Sequence, residues 1–494
     1  MRRKVERLER FDALMRQIVS SSTTTGNLPV MVVNTADDVR RLKGSESGGV
    51  LAFFSPSPFG VFVVTPLQTG ADSGIRSETV MFHEYVHHML LGNLDDPMPD
   101  WMSEGMAELF MNSRLEANGG ITFGLPNDVR AYSLARLDRW DVTRLFESSA
   151  RQVTRGDRDQ PYAKGWLVLH YLLLSGKRSG EFEKFTAGLK RGLPQIDAAR
   201  QAFGDLDKFE TELEYYRRRK TLPAVRVSSE QLNASREVTV RRLSPAEAAI
   251  MPTRLQSMVG VTAKTAPVVA QQARPVAARF PDNAFVQRAL AEMEYDARNY
   301  DLADQAIDRA LAADPNYVDA LCIKGLLLGA RAKRENRNDL WRAARAQLLK
   351  ANRLSPDTPL PFILFFDSFS AAGAVPNKGA VDGLMRAIVL QPTYQALRVK
   401  VGLHLIAAGE VAQARQIVAP VAFSPHMSAD NPLAKLIGEI DKGTRGAELA
   451  AKITEFKLRS GNLFDQPSLT PEKEGDDKTG DEKAGDDKDR PKPA

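Results

Sequence analysis

The dipeptides Phe280-Pro281, Asp314-Pro315, Ser355-Pro356, Gln391-Pro392 and Ser424-Pro425 place their prolines 34, 41, 36 and 33 residues apart. Proline lacks an N–H and its ring clashes with the preceding helical turn, so each marks a place where a helix stops. Between these stops the chain reads as helix. In the best copy, Asn283 to Pro315, the residues Ala289, Ala291, Tyr300, Ala303, Ala306, Ala310 and Leu311 supply the small-and-large pattern that lets paired helices pack closely. Such a unit cannot bury its apolar face alone, so the chain has to stack its units. The charged run Arg331 to Asp339 reads as an insertion that stretches one period.

A period of about 34 residues resembles the tetratricopeptide (TPR) repeat. The resemblance implies an all-α TPR-type solenoid over residues 244–464, with a concave surface for a protein partner. From residue 465 onward Pro, Lys, Asp, Glu and Gly dominate, and Gly475-Asp476-Asp477-Lys478 recurs as Gly480-Asp481-Glu482-Lys483 and again, unchanged, as Gly485-Asp486-Asp487-Lys488. With almost no apolar residues this stretch cannot bury a core, and it is expected to be a disordered low-complexity tail over 465–494.

Composition narrows the function. The formal charge of +5 is the difference between 67 basic and 62 acidic residues, so no strong field points to nucleic acid. One cysteine, Cys322, excludes internal disulfides and zinc–thiolate sites. No run of about 18 apolar residues marks a transmembrane segment. The chain opens inside an amphipathic helix whose stripe is Val5, Leu8, Phe11, Leu14 and Met15. A domain that begins in this way leads us to expect a first strand and an export signal upstream. The protein is then periplasmic or secreted; without such a signal it is cytoplasmic.

Residues 1–220 differ from the repeats, with 221–243 as a joining segment. Leu28 to Val33, Gly49 to Phe54 and Gly60 to Val64 read as strands, the last two flanking a Ser55-Pro56-Ser57-Pro58 turn. Thr65 to Arg76 reads as a loop, with Ser77 as N-cap of the next helix. On that helix stands His83-Glu84-Tyr85-Val86-His87. Two histidines four apart stack on one helix face and can hold one Zn²⁺. Glu84 is then placed to take a proton from a water that the ion acidifies from a pKa of ~15.7 to about 7. A catalytic zinc commonly has three protein ligands, and Glu104, on a helix after Pro97-Met98-Pro99, is the candidate for the third. His88 is turned ~100° from His87 and is not expected to be a ligand.

H-E-x-x-H followed by Trp101-Met102-Ser103-Glu104-Gly105-Met106-Ala107 resembles the gluzincin metallopeptidases, and Pro161-Tyr162-Ala163-Lys164-Gly165-Trp166 resembles the P-Y-x-K-G segment of their aminopeptidase branch. The resemblance implies an α+β zincin-like domain. It implies His83, His87 and Glu104 as zinc ligands, Glu84 as general base, Tyr162 as donor to the oxyanion and Glu108 as the carboxylate that steadies a ligand histidine. No G-x-M-E-N segment stands upstream, so aminopeptidase specificity is not implied. The expected function is a zinc metallopeptidase acting on peptide or protein substrates, with TPR repeats for a protein partner. The rivals are an inactive TPR scaffold with a structural or degenerate zinc site, and a hydrolase of epoxides or esters using the same residues.

Overall fold

The computed structural model of the 494-residue chain describes residues 2–19, 28–44, 51–57, 59–68, 77–92, 98–126, 128–135, 141–147, 160–191, 193–232, 240–422, 431–459, 461 and 463–464. The sequence readings at Gly49-Val50, Pro58, 69–76, Pro97, 233–239, Ser424-Pro425 and the tail from residue 465 lie outside the described residues.

The amphipathic stripe of α1 (Arg2–Ile18) turns Phe11, Leu14 and Met15 inward, and Phe11 stacks flat on Phe82 with centroids 4.0 Å apart. β1 (Val30–Thr35), α2 (Ala36–Lys43), β2 (Phe53–Ser57) and β3 (Gly60–Gln68) follow. Thr35 and Asp38 cap each other's backbone at the start of α2, and Gly44, at φ 73°, ends it. β3 is the central strand, parallel to β1 and antiparallel to β2. Alternation gives the sheet two apolar faces: Met31, Val33, Phe53, Phe62 and Val64 turn to one core, Val30 to another.

Two local expectations are corrected. Ser55, Pro56 and Ser57 belong to β2, opposite Phe62, Val61 and Gly60, because an edge strand tolerates a residue without an N–H. Thr65 to Gln68 continue β3, where pairing with β1 takes up their backbone groups.

α3 (Ser77–Gly92) packs on β3 and β2, and α4 (Asp100–Met111) packs on α3. Ser77 is the first residue of α3; its hydroxyl donates to Leu67 O at 3.2 Å and accepts from Lys4 Nζ at 2.8 Å. Then come β4 (Arg114–Leu115), β5 (Ile121–Phe123), α5 (Asp128–Ala135), α6 (Val142–Glu147), α7 (Gln160–Leu174), α8 (Glu181–Lys190), α9 (Gln195–Phe203) and α10 (Leu206–Arg217). β6 (Val225–Val227) pairs with β5, and Leu232 of α11 (Ser229–Leu232) is buried in the same core. Part of the expected joining segment is therefore folded onto the first unit. Among the described residues both sheets have three strands, and sheets this small do not by themselves establish a zincin-like α+β domain.

The rest is helical: α12 (Pro245–Val259), α13 (Ala266–Arg279), α14 (Ala284–Asp296), α15 (Tyr300–Ala313), α16 (Val318–Glu335), α17 (Asn338–Leu354), α18 (Pro359–Ala371), α19 (Lys378–Leu390), α20 (Gln395–Ala407), α21 (Val411–Ala422), α22 (Pro432–Asp441) and α23 (Gly446–Glu455). Successive helices pack pairwise and share one long core from Ala246 to Phe464. Phe280, Asp314, Ser355 and Gln391 are the C-caps of α13, α15, α17 and α19, so these four proline stops close successive pairs. The insertion lengthens both helices around a turn at Asn336-Arg337: α16 and α17 have 18 and 17 residues where α14 and α15 have 13 and 14. This is a helical-repeat array, and no helix of the described residues is long and apolar enough to cross a membrane.

Among the described residues, two contacts between the units stand out. Leu255, Met258 and Val259 of α12 complete the small core on the sheet. At the other contact the β2–β3 hairpin reaches into the array: Phe59 lies under the Arg288 guanidinium, 5.2 Å from the ring centroid, and Gln391 Nε2 donates to Ser57 O at 2.6 Å.

Candidate metal centre

α3 is apolar almost all round. Met81, Phe82, Val86, Met89 and Leu90 are buried, His83 and His87 meet α4, and Glu78 and Tyr85 meet α1. α1 fixes the helix on one flank: Tyr85 Oη donates to Asp12 Oδ1 at 2.5 Å, and Arg16 Nε donates to both oxygens of Asp12. His88 turns to this flank, its ring 5.8 Å from that of Tyr85. Burial pushes its pKa down to about 4, and it stands outside the cluster formed by His83 and His87.

On the flank facing α4, His83, His87 and Glu104 bring one donor atom each to a common place. His83 Nε2 and His87 Nε2 are 3.2 Å apart, and Glu104 Oε2 is 3.4 Å from the first and 3.5 Å from the second. The pairing runs antiparallel: His83 meets Glu104 and Glu108, whereas His87 meets Glu104 and Ser103. Burial opposes ionisation of Glu104, but the field of His87 and the contact with His83 outweigh it and hold the carboxyl below its usual range. Burial likewise opposes charge on His83, and Glu104, Glu84 and Glu108 together raise its pKa.

The donor set fits zinc. Donors at about 2.0–2.1 Å from a tetrahedral centre lie roughly 3.3–3.4 Å from one another, which is the spacing of this triangle. Glu104 Oε2 and His83 Nδ1 are buried and make no hydrogen bond, an arrangement that a cation would relieve for the carboxylate. Two neutral imidazoles and one carboxylate are the ligand types of catalytic zinc sites.

Around the triangle, Glu108 Oε1 lies 3.8 Å from His83 Nδ1, and Ser103 Oγ lies 3.2 Å from His87 Nδ1. Ser103 escapes sequence reading because a serine near a helix start is ordinary; its position beside Glu104 is its only signal. Glu84 is half-buried next to His83 on α3. Tyr162, near the start of α7, stacks its ring 6.3 Å from that of His83. It is brought there by two glycines: a Cβ on Gly165 would stand 2.1 Å from Trp101 O, and one on Gly105 would stand 2.5 Å from Gly165 C. α4 and α7 thus meet backbone to backbone, with Glu108 and Tyr162 against His83 and Glu84 beside it on α3, around the His83, His87 and Glu104 triangle.

His170 is a structural histidine. Its Nε2 faces Gly124 O at 2.9 Å and its Nδ1 faces Tyr216 Oη at 2.8 Å, so Nε2 carries the proton, and burial lowers its pKa. A separate cleft of about 720 Å³ between Val32 to Leu42 and helices α12 and α13 has none of the triangle residues in its walls.

No family model matches the chain, and no curated protein matches it. Among solved structures, yeast Tom70 aligns over 78% of this chain and 79% of its own at 14% identity, with a TM-score of 0.25, a superposition too loose to define a fold.

Proposed function

We propose that this protein is a zinc-dependent peptidase of gluzincin type whose TPR-like array binds a protein partner. The observation that carries the hydrolytic reading is the triangle of His83 Nε2, His87 Nε2 and Glu104 Oε2, with edges of 3.2–3.5 Å and an unsatisfied carboxylate oxygen. These three residues would hold Zn²⁺. Bound zinc supplies a Lewis acid that brings the pKa of a coordinated water to about 7.

The chain's own residues supply the rest. Glu84 takes the proton from the attacking water and returns it to the leaving amine. Tyr162 presents its hydroxyl to the oxyanion that develops on the scissile carbonyl, and Glu108 steadies the ring of His83. Ser103 sets the orientation of the His87 ring through Nδ1. Peptide or protein is the substrate class this reading commits to.

A second reading has its own support in the paired helices from α12 to α23: a protein-interaction scaffold whose metal centre is structural. The experiment that separates the two measures zinc per chain and digests a denatured protein mixture, with cleavage sites mapped by mass spectrometry. One zinc per chain, with cleavage by the wild type that disappears in Glu84→Gln while zinc stays, supports the peptidase. One zinc per chain without cleavage in either protein favours the scaffold.

A further inference from the structure

The array already holds a short piece of its own chain. After α23 the backbone reverses at Lys457, a non-glycine residue at φ 54°, and brings Gly461, Leu463 and Phe464 back across α16, α17, α18 and α20. Two buried charges receive it through main-chain atoms. Lys400 Nζ donates to Gly461 O at 2.8 Å, and the Leu463 N–H donates to Asp367 Oδ2 at 2.8 Å. Lys400 and Asp367 also pair with each other at 2.7 Å, their side chains 4% and 1% exposed. The ring of Phe464 meets Trp341 edge to face at 5.3 Å, in space left by Gly329, where a Cβ would stand 2.1 Å from that ring.

We propose that this seat is a peptide-binding site for a partner segment bearing a Leu-Phe-like pair, and that Gly461, Leu463 and Phe464 are an internal stand-in which such a segment displaces. The chemistry of the seat supports this. Lys400 and Asp367 recognise a carbonyl and an amide that any extended peptide offers, and the glycine-floored slot beside Trp341 selects an aromatic side chain. The held residues lie outside the α-helices and come immediately before the charged tail. The proposal concerns the array alone and is independent of hydrolysis: a chain without peptidase activity would give the same binding result.

The test uses the full chain and a fluorescein-labelled peptide of residues 456–468, read by anisotropy. The full-length Leu463→Ser/Phe464→Ser variant is expected to bind this peptide at least about tenfold more tightly than the wild type, since an internal occupant lowers apparent affinity by the fraction of time the seat is open. The peptide with serine at both positions is expected not to bind. A folded variant, by circular dichroism, that does not bind the peptide overturns the proposal. Where the variant does not fold, hydrogen exchange in the wild type decides. Exchange of the Leu463 amide at least about tenfold faster than that of Leu326 and Leu364 in the array core supports a displaceable segment. Exchange as slow as theirs makes it fixed core and overturns the proposal.

Discussion

Buried charge is handled in opposite ways in the two halves of the molecule. In the array, Lys400 and Asp367 meet each other at 2.7 Å and direct further contacts to Gly461 O and the Leu463 N–H. In the first unit, the donors of His83, His87 and Glu104 face one another at 3.2–3.5 Å, with Glu104 Oε2 left without a hydrogen bond. Taking an ion out of water costs several kcal/mol unless partners make up the loss. The array cluster is completed by the chain itself, whereas the triangle has the form of a site completed by something from outside. That difference separates a seat filled by the chain's own segment from a cluster that keeps an unsatisfied carboxylate oxygen.

Substitutions at the two clusters and at the α4–α7 contact test how each is completed. The largest effect is expected for Glu104→Ala, which removes one edge of the triangle. Zinc per chain, measured by elemental analysis after dialysis, should fall from about one to near zero, since catalytic zinc generally needs three protein ligands. Retained stoichiometric zinc would place the metal elsewhere. Next comes Lys400→Met, which strands the Asp367 carboxylate and should lower unfolding stability by about 3–5 kcal/mol in urea. Adding Asp367→Leu should recover only part of that loss, because the pair also holds Gly461 O and the Leu463 N–H.

A smaller loss is expected for Gly165→Ala. Its new Cβ meets the Trp101 carbonyl of α4, so a stability loss of about 1–3 kcal/mol should accompany a fall in hydrolysis as Tyr162 moves away. Smallest is Ser103→Ala, which removes the 3.2 Å contact to His87 Nδ1 and should weaken zinc affinity about tenfold in competition with a chelator, with little change in thermal stability.

The donor triangle was legible because its information is local: a four-residue helical repeat of histidine sets His83 and His87, and a short connection turns Glu104 toward them. The stops at Pro281, Pro315, Pro356 and Pro392 were legible for the same reason, since proline acts on its own helix. Contacts between distant parts of the chain were not. Nothing in the sequence pairs Gly105 with Gly165, places Val225 to Val227 beside β5, or sends Phe464 into the slot at Gly329. The sheet was misread where edge position changes the rules, at Pro56. Nor does the sequence show that Ala198 of α9 packs against Gly188 of α8.

The hairpin that carries β2 ends with Phe59 beneath Arg288, whose guanidinium is itself clamped by Glu292 at 2.6 Å, and with Ser57 O bound by Gln391. Arg288 and Gln391 sit about a hundred residues apart along the superhelix, so a change in its pitch would tug on both anchors together. β2, which packs on α3, would then behave as a lever whose fulcrum is the helical array, and severing the chain at the junction would leave that lever without a rest.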